Sequence, residues 1–143
     1  MKIVFVLTAL LVPAGMIWSE TQAVTYVDHD AVAAAMVKGG ALARGSDFTT
    51  SAAHRAKAGQ VEVHDKETDI MYITDGEATF VFGGTMVGGK QTNPNQWLGT
   101  EIQGGEIRHL TKGDVIVVPA GTPHWFREVP AGVNYLLVKV IKP

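Results

Sequence analysis

The chain has 143 residues, with 12 Lys and Arg against 14 Asp and Glu, for a net charge of −2. That size fits one domain around one core, and the charge balance argues against a nucleic-acid partner, which would need a clustered basic face. Apolar residues at 46% and charged residues at 18% exclude disorder by composition, and with 0 Cys any metal must be held by nitrogen and oxygen.

At the N-terminus, Lys2 precedes an apolar run from Ile3 to Trp18, followed by the small-residue pattern Thr21-Gln22-Ala23. This is the plan of a secretory signal peptide over residues 1–23, cleaved after Ala23. Pro13 and Gly15 interrupt the run, which falls short of the ~20 apolar residues of a spanning helix. The expectation is a secreted or periplasmic protein with no stable membrane anchor after cleavage.

Residues 24–46 are read as an N-terminal helical segment. Asp28 or Asp30 can cap a helix running through Ala31 to Lys38, and Gly39-Gly40 ends it. From Asp47 onward the pattern turns to short Val-, Ile-, Thr- and aromatic-rich segments separated by Gly, Pro and Asp, the mark of a small antiparallel barrel or sandwich. The strands drawn are Asp47–Arg55, Gln60–His64, Ile70–Thr74, Ala78–Phe82, Glu106–His109, Val115–Val118, His124–Val129 and Val133–Ile141. Asp75-Gly76 reads as a hairpin turn. The polar, Gly-rich stretch from Gly83 to Gly105 reads as a long loop, in which Trp97 is either a lid over a pocket mouth or an anchor.

Alternation along a strand puts Glu62 and His64 on one face, with Val61 and Val63 on the other. Asp69 opens the next strand and can lie beside them if the two strands pair. A second cluster runs Gly113 to Glu128 as strand, Pro/Gly corner and strand; by parity His124, Phe126 and Glu128 share a face opposite Trp125 and Arg127. Pro119 stops the first strand, and Gly121 permits the sharp turn that presents His124. His54 and Arg55 end a strand, and one of them can face the interior, where a cationic Arg suits an anionic or carbonyl-bearing ligand. His109 reads as a surface or rim residue.

These two clusters resemble the paired motifs of the cupin superfamily. Gly113, Pro119, Gly121 and His124 match the second motif, G-x5-P-x-G-x2-H-x3-N, at every spacing, with Glu128 at the Asn position. The first motif is matched in a degraded form, Glu62-x-His64-x4-Asp69-x6-Gly76, with Glu62 for the first His, Asp69 for the Glu and Ala56 where the leading Gly would be. The resemblance spans Asp47 to the C-terminus, residues 47–143, and implies an all-β fold, a small jelly-roll barrel behind a short N-terminal helix.

In metal-binding cupins the ligands occupy the positions that Glu62, His64, Asp69 and His124 hold here. The resemblance therefore implies a divalent ion, and two imidazoles with two carboxylates suit Fe, Mn, Zn or Ni without choosing among them. A protein of this kind acts on a small organic molecule by oxygenase- or isomerase-type chemistry, with Glu62 or Glu128 as the acid that moves a proton. The alternatives are a small-molecule binding or sensing module without metal, and a structural dimer with a vestigial pocket. By resemblance the partners are a small-molecule ligand and a second copy of the chain in a homodimer, paired through the N-terminal strands.

Overall fold

The computed structural model describes residues 23–142, so the expected leader lies outside the described residues apart from Ala23. Helix α1, His29–Lys38, starts where Asp28 accepts a hydrogen bond from the Ala31 amide at 2.9 Å through Oδ1. Of the two candidate caps Asp28 is the one used, because its extended backbone leaves its side chain facing the free amides of the first turn. Gly39 ends the helix at φ 75°.

Twelve strands follow. They are β1 (Gly40–Arg44), β2 (Phe48–Arg55), β3 (Val61–His64), β4 (Glu67–Phe82), β5 (Thr85–Val87) and β6 (Lys90–Asn93), then β7 (Gln96–Gly99), β8 (Glu101–Gln103), β9 (Glu106–Thr111), β10 (Val115–Val118), β11 (His124–Glu128) and β12 (Val133–Ile141). All pairings are antiparallel. The fold is all-β, and the ladder among the described residues runs β1-β2-β12-β4-β11-β3-β7-β6, with β10 and β9 also on β4 and β5 paired with β8.

β4 joins two sheets. Its first part pairs with β12 and β10, and its second with β9 and β11. The expected hairpin at Asp75-Gly76 does not form; the strand runs straight through it as one 16-residue element. The register against β12 shifts there, with Asn134 opposite Asp75 but Tyr135 opposite Ile73. The extra residue at this bulge is Thr74, while Gly76, at φ 79°, stays paired with Val133, and a Cβ on it would collide with the backbone carbonyl of Gly132.

The stretch from Gly83 to Gly105 is likewise strand-rich, not a loop, since β5 to β8 lie within it. Its polar, glycine-rich character reflects exposure, as every residue of β6 is exposed. The segment 40–44, to which the sequence assigns no strand, forms β1 on the edge of β2.

The main core gathers Met71, Ile73, Ala78, Phe80, Leu110, Val118, Phe126, Val133 and Tyr135 between the sheets, and a smaller cluster holds Val61, Val81 and Ile102. Phe126 is the hub of the aromatic packing, edge-on to Phe80 at 4.8 Å and stacked on Tyr135 at 5.2 Å. Val115, Val117, Tyr72 and Val140 stay exposed on the outer face of the β12–β4–β10 sheet.

Candidate metal centre

Three polar side chains are buried among the described residues: His64, Asp69 and His124, at 5%, 4% and 5% exposure. Each comes from a different strand. Strand alternation turns Val61 into the smaller core cluster and Glu62 and His64 toward the interior. Glu62 stands directly across from His124 in the β3–β11 pairing. The corner before β11 is tied to β3 as well, because the Gly121 amide, at φ 80°, donates to the His64 carbonyl at 2.8 Å. The Pro119–Gly121 turn thus fixes where the second histidine enters relative to the first.

The side chains converge. His64 Nε2 lies 3.5 Å from Glu62 Oε2 and 3.4 Å from Asp69 Oδ2, and His124 Nε2 lies 3.7 Å from the same Asp69 oxygen. The two imidazole centroids are 5.2 Å apart. Such separations are longer than good hydrogen bonds. They match the ~3.4 Å edge of a tetrahedral shell built on metal–ligand distances of about 2.0–2.2 Å.

The outward atoms of His124, Glu62 and Asp69 are engaged. His124 Nδ1 lies 3.1 Å from the Thr122 carbonyl, which can only accept, so Nδ1 carries the proton and Nε2 keeps its lone pair. Burial pushes the His124 pKa down, against the opposing pull of the Thr122 carbonyl and the carboxylates of Asp69 and Glu62. Arg55 donates through Nη2 to Glu62 Oε1 at 2.8 Å and through Nε to the Tyr135 hydroxyl at 3.0 Å, with its guanidinium 4.9 Å from the centre of the Phe126 ring. Burial would raise Glu62, but the nearby His64 ring nitrogen, 3.5 Å away, and the charge and hydrogen bond of Arg55 outweigh it and hold the carboxyl at about 2. Lys139 donates to Asp69 Oδ1 at 2.9 Å and to Glu67 Oε2 at 2.8 Å.

Two overlapping donor groups result, Glu62 with His64 and His124, and His64 with Glu67 and Asp69. The nitrogen and carboxylate donors, their spacing and their anchored outer atoms fit a divalent cation. The structure brings Glu62, His64 and His124 into one group and Asp69 into the other, and the two share His64.

Glu128 is not. The register of β11 against β4 slips between Phe126 and Glu128, leaving Arg127 as the extra residue, so the alternation reverses and Glu128 falls opposite Thr79. There its side chain is 61% exposed and accepts from Thr79 Oγ1 at 2.7 Å. The parity argument that put it beside His124 is corrected by this bulge. Trp97 sits opposite Val63 in β7 and donates to Asp65 Oδ2 at 3.0 Å, which makes it an anchor and not a lid. His109 is on the surface, 3.2 Å from Glu77, and His54 is exposed beside Asn134, leaving Arg55 as the inward member of its pair.

Sequence reasoning overlooked Lys139, Glu67, Thr122 and Tyr135. A signal for Lys139 was present, since it is the one charge in the apolar run Val133–Ile141 and has the parity of Tyr135.

A family model described as Cupin matches residues 20–140. The chain is a cupin. No curated protein matches it. Among solved structures, this cupin resembles a conserved protein of unknown function from Streptococcus pyogenes, at 21% identity over 73% of each chain and a TM-score of 0.50. A protein from Bacillus halodurans is similar at 14% identity, over 72% of this chain and 69% of that one, with a TM-score of 0.51. Peruvianin-I, a cysteine peptidase from Thevetia peruviana latex, is similar at 17% identity and a TM-score of 0.47 over 68% of this chain; the cupin spans about half, 52%, of its length.

Proposed function

We propose that this cupin holds one divalent ion through Glu62, His64, Asp69 and His124 and acts on a small organic molecule bearing a carbonyl or hydroxyl oxygen. The observation that carries the reading is the approach of Glu62 and Asp69 carboxylate oxygens to the His64 and His124 Nε2 atoms, with the outward atoms of Glu62, Asp69 and His124 held by Arg55, Lys139 and the Thr122 carbonyl. A bound divalent ion supplies Lewis-acid polarisation of such an oxygen. Glu62, held anionic by Arg55 and His64, serves as a ligand and is a poor proton donor at neutral pH. The buried Phe80 ring, packed on Phe126 and 6.1 Å from the His124 ring, limits the water on that side of the site. Oxygenase- and isomerase-type reactions are the classes to screen.

The test is the metal content of the protein purified without chelator, beside His64→Ala and His124→Ala. About one ion per chain, lost in both variants, supports the reading; no ion in the folded wild type refutes it.

Two further features belong to the same reading. The leader over residues 1–23 directs export to the periplasm or medium, which N-terminal sequencing of the exported protein checks. A homodimer forms through the sheet carrying β1 and β2, a reading supported by the exposed Tyr72, Val115, Val117 and Val140 on its outer face, at 45%, 62%, 54% and 41%. Light scattering that reports a monomer refutes it.

A further inference from the structure

Asp69 is one methylene shorter than the glutamate at that motif position, and it lies within reach of a competing carboxylate. Glu67 belongs to a second donor group with His64 and Asp69, and its Oε2 is 3.9 Å from His64 Nδ1. Something must decide which carboxylate oxygens turn toward the two Nε2 atoms. Lys139 stands directly opposite Asp69 in the β4–β12 register, with its ammonium between the two acids, 2.9 Å from Asp69 Oδ1 and 2.8 Å from Glu67 Oε2. Its side chain is 21% exposed and that of Asp69 5%, so the pair is largely shielded from solvent screening.

We infer that Lys139 is the positioning residue of the metal centre: by binding Asp69 Oδ1 and Glu67 Oε2 it turns Asp69 Oδ2 toward His64 and His124 and withholds Glu67 from the shell. The inference rests on the metal reading above. Two opposed physical effects are at stake. A nearby cation repels a metal ion, so removing it would tighten binding if charge alone mattered. Losing an outer partner of a ligating group typically weakens metal affinity by about 10–100-fold. The geometry places Lys139 on the outer oxygen and Asp69 Oδ2 on the inner side, so the orienting effect governs.

The experiment is calorimetric titration of the intact, chelator-stripped protein with Co2+ alone, for the wild type, Lys139→Met, Lys139→Arg, Asp69→Asn, Glu67→Gln and the double variant Lys139→Met/Asp69→Asn. Lys139→Met should weaken Co2+ binding by about 10–100-fold with the stoichiometry unchanged. Lys139→Arg, which keeps the charge and the donors, should restore most of that loss, and Glu67→Gln should bind nearly as the wild type does. In the Asp69→Asn background, Lys139→Met should add little, because both changes act through one oxygen pair. Equal or tighter binding by Lys139→Met, or fully additive losses in the double variant, overturns the inference while leaving the metal reading intact. A folded wild type that takes up no Co2+ overturns both. If Lys139→Met does not fold, Lys139→Gln is read in its place with the same expectations.

Discussion

Glu62 and His124 are direct partners across the β3–β11 pairing, although they come from different motifs of the sequence. That register makes the centre a property of the sheet and not of a flexible loop. Non-polar neighbours complete it on one side, with Phe80 6.1 Å from the His124 ring. The positively charged groups Arg55 and Lys139 occupy the outer side.

Asp69 and Glu128 make a paired test of the assignment. Asp69→Asn should lower the bound metal per chain measured by elemental analysis, since Asp69 Oδ2 faces both histidines. Glu128→Ala should leave metal content unchanged and alter stability by within ~0.5 kcal/mol, as expected for an exposed side chain away from the core. Loss of metal in Glu128→Ala would contradict the placement of that residue on the outer face.

The acid stability of the metal-free protein should depend on Glu62. Its carboxyl is held at about 2 in the fold, against an ordinary value of 4.5 for the unfolded chain, so between those values the unfolded chain binds a proton that the folded chain does not. Stability therefore falls as pH drops from about 4.5 toward 2, by on the order of 3 kcal/mol. His124 acts in the same direction from pH 6.5 downward, because burial keeps its folded pKa below that value. Thermal melts with chelator between pH 2 and 8 should show a shallower acid limb for Glu62→Gln; an unchanged limb would count against the Arg55–Glu62 pairing as its source.

Arg55 links Glu62, Tyr135 and Phe126. Arg55→Met leaves a part-buried carboxylate without its cation and should cost about 2–4 kcal/mol in urea denaturation. Arg55→Met/Glu62→Met should recover more than half of that loss, because no unpaired charge then remains. A double variant as unstable as the single one would mean that Arg55 acts through packing on Phe126 and not through charge.

Gly76→Ala should destabilise the fold by roughly 2 kcal/mol or more, since the residue sits at a positive φ and a Cβ meets the Gly132 carbonyl. Denaturant midpoints check this. An unchanged midpoint would show that the β4–β12 bulge can relax.

The legible parts of this protein are those whose cause is local. A helix cap at Asp28 or Asp30, Gly39 as its stop, the alternation of Glu62 and His64, and the Pro119–Gly121 corner ahead of His124 all depend on a few adjacent residues, and each could be read from the chain, with the structure choosing Asp28. The motif resemblance implied the family and the four metal-capable residues, while strand period by itself placed only Glu62 and His64 on one face. Misreadings came where one residue of register mattered. Asp75-Gly76 looks the same in a hairpin as inside a continuous strand, and only the pairing of β4 with β12 on one side and β9 on the other decides between them. The slip at Arg127 reversed the face of Glu128 for the same reason.

The sequence by itself therefore determined the strand-rich class and the shared face of Glu62 and His64, since these follow from local periodicity and turn chemistry, while its motif resemblance implied the cupin family and the set of donors. The tertiary structure alone decided that Lys139 meets Asp69 and that Arg55 meets both Glu62 and Tyr135. Strand pairing joins Lys139 and Tyr135 to partners 70 and 80 residues away, and no short-range pattern encodes a contact whose existence depends on the register of an entire sheet.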